Sequence, residues 1–494
     1  MITTALKTEL EHYFEFFRNG IIGIDQEFET PFGTKPLIYT DWTASGRLYR
    51  PIEEKLMNVF GPFVANTHTE TTVSGTAMTL AYHEAKQIIK RHVNANENDV
   101  LINTGTGMTG VVNKFQRILG LKVPENLKDY LNLPTELKPV VFVSHMEHHS
   151  NQTSWIETIA DVVIIPANED GLFCLEQFKK VVAQYADRSF KIASITSCSN
   201  VTGIRTPYHE VAKIMHQNNG VCFVDFACSG PYVPIDMHPT DPEAYLDAIF
   251  FSPHKFLGGP GTSGVLIFNQ NLYKNNVPDC PGGGTVSWTN PWGEHKYIDN
   301  IEDREDGGTP GFLQVIKTAL AIQLKEEMGV ENILKREHEL VDYIFEQLSP
   351  IENITLLAGQ HQDRLGVISF YIHDLHYNLG VKILNDRFGI QTRGGCSCAG
   401  TYGHYLLHVD QETSHHLTCS IDEGDLTQKP GWIRMSIHPT TTTAEIEYVC
   451  SSIIELAAHH QEWAADYVYN PKKNDFTHKN AVAVEKAMVR NWFI

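Results

Sequence analysis

Six short apolar stretches constrain this chain more than any other feature. In order they read PVVFVSH, DVVIIPA, KIASITSCS, GVCFVDFA, AIFFSPHK and SGVLIFN. Their apolar residues run almost without a break instead of alternating with polar ones, as in strands buried on both faces. Helical patterns such as LEQFKKVVAQYA and YHEVAKIMHQNNG lie between them, the second with Gly220 at the position of a C-cap. Upstream, DVLINTGTGMTGVVNKFQRIL reads as strand, Gly/Thr loop and helix. Strands alternating with helices in this way predict an α/β fold with a mostly parallel sheet.

The 494 residues exceed what one core of ordinary size holds, so further domains are expected. A helical N-terminal segment is expected over residues 1–35 and the large α/β domain over 36–305. GFLQVIKTALAIQLKEEMG then predicts an amphipathic helix with Phe312, Val315, Ile316, Ala319 and Leu320 on one face and Gly329 as its stop. With GVISFYI, GVKILNDRFGI and GWIRMSIH it predicts a smaller α+β domain over 306–465, followed by a polar tail over 466–494. Residues 405–430 read as a surface loop.

A net charge of −20 argues against nucleic-acid and anionic-membrane partners, which require a basic surface. Nine irregularly spaced cysteines do not make a secreted disulfide framework, and a reducing compartment is expected. The N-terminal residues lack the basic start and apolar core of a signal peptide, and no apolar run approaches the roughly 18 residues of a membrane span. A cytoplasmic protein is the expectation.

The chemistry-bearing residues fall at strand ends. GTGMTG, Gly105 to Gly110, fits the dinucleotide pattern G-x-G-x-x-G, but no acidic residue ends the next strand at the expected distance. Backbone N–H groups and a threonine hydroxyl at a helix N-terminus still suit a single phosphate. SPHKFLGGPGTSG places Lys255 after a buried strand, where α/β folds put ligands and desolvation makes an amine nucleophilic. Ser252 and His254 flank it. Asp225 ends the strand CFVDFA one strand–helix–strand unit earlier, so both residues project from one sheet edge. A buried carboxylate there requires a partner such as a protonated ring nitrogen; a helix N-cap is the ordinary alternative. His145, His148 and His149 in HMEHHSN lack a completing carboxylate or cysteine at metal-ligand spacing, and no metal is expected. An imidazole stacked on a flat cofactor is another use for one of them. Phosphate loop, stacking histidine, strand-end Asp and amine, in this order, form a constellation for pyridoxal 5'-phosphate.

Several separated motifs, over roughly residues 35–455, resemble the class V (fold type I) pyridoxal-phosphate enzymes, with greatest similarity to the group II cysteine desulfurase and selenocysteine lyase branch. FSPHK resembles the family's Ser-x-His-Lys and implies that Lys255 holds the cofactor, with Ser252 and His254 on its phosphate. GMTGVVN resembles the phosphate loop and implies contacts from the Met108 backbone and Thr109. MEHHSN implies His148 stacked on the ring. VDFAC implies Asp225 on the pyridine nitrogen, with Cys228 where the family usually has a glutamine that bonds the phenolic oxygen. CSNVTG implies Asn200 at the substrate carboxylate, and WIRMS implies Arg434 as its clamp, a natural use of a forked guanidinium. GGTP implies that Thr309 reaches the phosphate of a neighbouring subunit, hence a homodimer. RGGCSCA resembles the mobile-cysteine segment, with Arg393 at its head, Cys398 as the persulfide carrier and Cys396 where relatives often have histidine.

The resemblance implies an enzyme acting on a small-molecule amino acid: L-cysteine to L-alanine, with Lys255, His148 and Cys398 as catalytic residues and a sulfur-acceptor protein as a possible partner. Two alternatives stand beside it. One is transamination, elimination or epimerisation of another amino acid, which the weaker hydrogen-bonding thiol of Cys228 favours. The other is a cofactor-binding or sulfur-accepting scaffold without turnover.

Overall fold

The computed structural model describes residues 8–67, 69–481 and 484–494. The first part of the expected N-terminal segment, residues 1–7, lies outside them. The chain forms two compact units. The larger comprises Ser45–Ser199 and Arg205–Val330; the smaller comprises the described part of Met1–Ala44, Asn200–Ile204 and Glu331–Ile494.

Seven strands form the sheet of the larger unit: β1 (Asp99–Thr104), β2 (Val140–Ser144), β3 (Asp161–Ile165), β4 (Lys191–Thr196), β5 (Val221–Asp225), β6 (Ala248–Phe251) and β7 (Gly264–Asn269). Their order is β1-β7-β6-β5-β4-β2-β3. Every pairing is parallel except the two made by β7. The α/β class with a mostly parallel sheet is thus observed. The continuous apolar runs follow from burial: every residue of β2, β4 and β6 is buried. Each Val, Ile or Phe removed from water in this way contributes roughly 1.5–3 kcal/mol. Only β3, at the sheet margin, is half-exposed despite its apolar sequence. The parallel register brings the carboxyl ends of β2, β4, β5 and β6 to one edge. Thr196 lies opposite Asp225, and Asp225 opposite Phe250.

Three local expectations are corrected. The helix Tyr208–Gln217 is closed by Asn218, and Asn219 rather than Gly220 takes the left-handed conformation, at φ 54°. Asn tolerates that region through its short polar side chain. A Cβ at Gly220 would lie 2.4 Å from Met215 Cε, the far end of a flexible side chain, and 3.1 Å from the Lys191 carbonyl oxygen. The helix Phe312–Met328 ends at Gly329, φ 72°, as expected, but it is buried nearly all round and packs along Val73–His92 in the larger unit. The division between units therefore falls after Val330 instead of at 305. Residues 405–430 are not only loop: they hold the helix Gln411–Asp422, whose first turn is capped by Asp410 accepting from Thr413 N–H at 2.8 Å. No residue of that helix is buried, which is why its polar sequence resembles a loop.

The smaller unit is built on a four-stranded antiparallel sheet of β8 (Ile354–Leu356), β9 (Val367–Ile372), β10 (Arg393–Gly395) and β11 (Trp432–Ser436), in the order β8-β9-β11-β10. Helices Val330–Leu348, Tyr377–Phe388 and Thr443–Trp463 contribute its apolar core. The helix Glu9–Asn19 is fastened here by two arginines. Arg336 is almost fully buried and donates to Glu339 at 2.8 Å, Thr8 Oγ1 at 3.1 Å and Thr441 O at 3.0 Å, with Glu11 at 3.4 Å. Arg18 grips Glu445 with two bonds of 2.7 Å. The strand Ile38–Tyr39 pairs with Ile390–Gln391. The tail forms a hairpin, Tyr467–Asn470 with Asp475–His478, tied to the helix Tyr377–Phe388 through Asn474 and Tyr377 (2.6 Å) and Arg387 and Asp466 (2.9 Å).

Gly264 opens β7 directly against the loop after β1. A Cβ at Gly264 would lie 2.1 Å from the carbonyl oxygen of Gly107, a backbone atom that cannot yield. Gly264→Ala is expected to destabilise the protein by about 1–3 kcal/mol in denaturant unfolding. Gly283→Ala, where nothing lies within 4 Å, is expected to stay within about 0.5 kcal/mol.

Candidate active site

In the larger unit the loop after β1 turns through Gly105 and Gly107, with φ of 59° and 60°, into the helix Gly107–Ile118. Only glycine reaches that conformation without cost. At Gly107 space also decides, because a Cβ would lie 2.9 Å from Ser252 Oγ and 3.6 Å from His254 Cδ2. The Met108 N–H donates to Ser252 Oγ at 2.8 Å. Thus Met108 meets Ser252 and His254, distant from it in sequence, at one helix N-terminus. Thr109 bonds its hydroxyl to that of Ser150 at 2.6 Å. Burial, and then the nearby Lys255 charge, push the His254 imidazole down to about 4. These groups offer N–H and hydroxyl donors at the positive end of a helix, a set suited to a phosphate.

Lys255 ends the short turn Pro253–Lys255 that follows β6. The turn is held by Ser45 and Gly46, whose hydroxyl and N–H reach the His254 carbonyl at 3.3 and 2.9 Å. Asp225 closes β5 and is 3% exposed. It caps no helix. Its Oδ1 accepts the Ala227 N–H at 2.7 Å, and residues 227–232 form turns. Burial raises its carboxyl to about 6, against the lowering effects of that bond and of Lys255. Such a group gains from a cationic partner such as a protonated ring nitrogen. The donor set and this carboxylate therefore fit a phosphorylated pyridine.

His148 precedes the helix His149–Ile156 and caps it, its Nδ1 accepting from Ser150 N–H at 3.1 Å. That bond assigns the proton of the neutral ring to Nε2. Cys228 is buried, its thiol directed to Ser199 O at 3.7 Å. Thr309 is exposed, after Gly308 at φ 87°. One residue of this unit was not recognised from sequence. Glu147 is fully buried and accepts from Ser144 Oγ at 2.6 Å, Asn151 Nδ2 at 2.8 Å and Thr196 N–H at 2.8 Å. Burial raises its carboxyl to about 8 against these bonds. It links the end of β2 to β4, and its position beside two histidines offered no signal of that use.

The smaller unit gathers Asn200, Arg434, Arg393 and the cysteine loop. Arg434, on β11, is 3% exposed and donates to Asn200 O at 3.1 Å and Asp41 Oδ1 at 2.8 Å. Arg393, on β10, is half-exposed and donates from Nε to Asp41 Oδ2 at 3.0 Å. Asp41 is the second residue not recognised from sequence; both partners lie more than 350 positions away. Asn200 gives its amide N–H to Ser397 O at 2.7 Å, so it supports the cysteine loop.

That loop turns tightly. Ser397 and Cys398 have φ of 51° and 56°, and Ala399 N–H donates to Cys396 O at 3.0 Å, the pattern of a type I′ turn. Each non-glycine residue in the left-handed region costs roughly 1–2 kcal/mol. The bond from Asn200 to Ser397 O, the bond from Trp432 Nε1 to Ser397 Oγ at 3.2 Å and the fully buried Ala399 hold the turn. Cys398 is exposed and Cys396 partly buried.

Among the described residues no group of three His, Cys, Asp or Glu side chains is arranged to hold a metal, and no helix is long and apolar enough to cross a membrane.

The sequence profile of the aminotransferase class-V family matches residues 38–449. A protein of Halalkalibacterium halodurans named a probable cysteine desulfurase is 29% identical over 372 residues, 74% of this chain and 84% of that relative. A Staphylococcus aureus protein of the same name is 28% identical over 393 residues, 79% of this chain and 89% of the relative. The apo structure of a cysteine desulfurase from Thermococcus onnurineus aligns with a TM-score of 0.72 at 21% identity, covering 92% of this chain and all of that one. A cysteine desulfurase from Escherichia coli aligns with a TM-score of 0.69 at 19% identity, covering 90% and 98%. These likenesses establish a shared fold.

The raised carboxyl of Asp225 yields a prediction for the cofactor-free chain. Between about pH 4 and pH 6 the folded state binds more protons at this residue than the unfolded state, so its contribution to stability falls as pH rises. Asp225→Asn is expected to remove that decline and to stabilise the cofactor-free chain at pH 7 by roughly 2–3 kcal/mol in urea unfolding.

Proposed function

The chain belongs to the aminotransferase class-V family, and from that premise we propose that it is a pyridoxal-phosphate-dependent cysteine desulfurase. It converts L-cysteine to L-alanine and leaves the sulfur on Cys398. The observation that carries this reading is the meeting of Met108, Ser252 and His254 at one helix N-terminus, in the same unit as the buried Asp225 and Lys255. The names of the two curated relatives support the choice of reaction.

Met108 N–H, Thr109, Ser252 and His254 would hold the phosphate, His148 would lie against the ring, and Asp225 would meet the ring nitrogen. Lys255 is the amine that would hold the cofactor. When bound, the cofactor supplies an electrophilic carbon and a ring that withdraws electrons from the substrate's α-carbon. The Lys255 amine would also take and return the substrate's α-proton. Arg434, with Arg393 and Asn200, orients the substrate carboxylate through charge-assisted hydrogen bonds. Cys398 attacks the substrate sulfur as a thiolate, since the thiol is a poor nucleophile. The S–S bond would form as the C–S bond breaks; the bonding electrons stay with the substrate carbon, which takes up a proton to become the methyl group of L-alanine. The exposure of Cys398 on a tight turn supports this role and also suits delivery to a sulfur-acceptor protein. Thr309, exposed on its own chain, reaches the phosphate of a second subunit in a homodimer. A cytoplasmic location goes with a persulfide that must stay reducible.

A second reading, another class V reaction on a different amino acid, is favoured by Cys228. Its thiol faces Ser199 O at 3.7 Å and offers a weaker donor than the family's glutamine.

Borohydride reduction of the purified protein is expected to leave a pyridoxyl group on Lys255, read by mass spectrometry; its absence sinks both enzyme readings. Cys398→Ser is expected to keep the cofactor's visible absorption and to lose sulfide release from L-cysteine by on the order of 100-fold or more. The same loss from Cys396→Ser alone would move the nucleophile to Cys396.

A further inference from the structure

Asp41 bridges both arginines of the smaller unit. Its two oxygens take one guanidinium each, Arg434 Nη2 at 2.8 Å and Arg393 Nε at 3.0 Å. Two guanidiniums against one carboxylate leave a single net positive charge.

Asp41 cannot swing away from this position. Its backbone bridges Ser436 on β11, the Ser436 N–H donates to Thr40 O at 2.6 Å, and Thr43 N–H donates to Ser436 Oγ at 2.8 Å. The next residue, Trp42, is 4% exposed and stacks on His438 with ring centroids 4.2 Å apart. The strand Ile38–Tyr39 fixes the segment from the other end.

The arginine that Asp41 holds is not saturated. Arg434 Nε is buried with no hydrogen-bond partner, although Arg434 is 3% exposed. The Thr43 hydroxyl in the same ladder is likewise buried and unpartnered. A buried donor left unmet is costly, so an anionic acceptor at this arginine is favoured.

We propose that Asp41 is a specificity-determining residue that restricts the arginine pair to amino acids bringing one negative charge, and disfavours those with a second acidic group. The inference rests on the reading that Arg434 and Arg393 receive the substrate carboxylate. One substrate carboxylate neutralises the remaining positive charge. A second anionic group arrives with no charge left to meet it and is repelled by the immobile Asp41. At separations within one Debye length such repulsion is not screened away.

The test compares L-alanine with L-aspartate as ligands of the full-length holoenzyme, with dissociation constants from calorimetry. Asp41→Asn keeps the shape and an oxygen acceptor for the arginines while removing the charge. The ratio of the two constants is expected to shift toward L-aspartate by about tenfold or more. Arg393→Gln, at a half-exposed residue, lowers the net charge instead and is expected to shift the ratio toward L-alanine. Because each ratio is compared with wild type, differences in ligand size cancel. If Asp41 only holds Arg434 in place, Asp41→Asn weakens both ligands by one factor, and an unchanged ratio overturns the proposal. Should Asp41→Asn not fold, an unchanged ratio in Arg393→Gln overturns it equally. Failure of wild type to bind either amino acid also overturns it. Sulfide release from L-cysteine reports separately on the desulfurase reading. A wild type that releases no sulfide while the ratio shifts as expected sinks that reading and sustains this one.

Discussion

A carboxylate can be kept from water at a strand end only if the surrounding structure supplies compensation. Asp225 is the residue on which the larger unit imposes that demand. The parallel register of β4, β5 and β6 places it in the centre of the sheet edge, where Ser197 N–H and hydroxyl take its carbonyl at 2.9 and 3.0 Å. Its side chain receives one backbone N–H and the influence of Lys255, and its carboxyl still remains raised. The unit is therefore built with an unmet preference for positive charge at this sheet edge. At the same edge, close approach depends on the lack of side chains. Gly107 and Gly264 let backbone approach backbone, which brings Met108 N–H onto Ser252.

The smaller unit solves the opposite problem, that of keeping a cation buried. Arg434 is compensated by Asp41 and by the Asn200 carbonyl but retains an unmet Nε–H. Arg393, more exposed, shares the same carboxylate. The cysteine turn beside Arg393 is held in a left-handed geometry by Asn200 and Trp432, so residues outside RGGCSCAG determine how Cys398 is presented. A thiol carried on a strained exposed turn differs from one at rest in a core, such as Cys450, where burial pushes the thiol up to about 12.

The parts legible in the sequence were those governed by local rules. Apolar runs marked β2, β4, β5, β6 and β7, and Gly329 marked a helix end. The motif residues Met108, Ser252, His254, Lys255 and Asp225 stood at strand or helix ends, where backbone geometry alone aims them. The helix Gln411–Asp422 was missed because it buries nothing and so carries no apolar period. The rhythm of the helix Phe312–Met328 shows one packed face and not its near-complete burial in the larger unit.

Glu147 and Asp41 mark where sequence reasoning ended. Each is a carboxylate defined by partners from other elements: Glu147 by Ser144, Asn151 and Thr196, and Asp41 by Arg393 and Arg434. From sequence alone came the α/β class, the order of strands and helices, and the residue types at the sheet edge. Those depend on burial and spacing along the chain. Tertiary structure alone decided which charges meet, how many remain unpaired, and that Cys398 sits on a turn held from outside. Electrostatic pairing depends on distance in space, and no spacing along the chain encodes it.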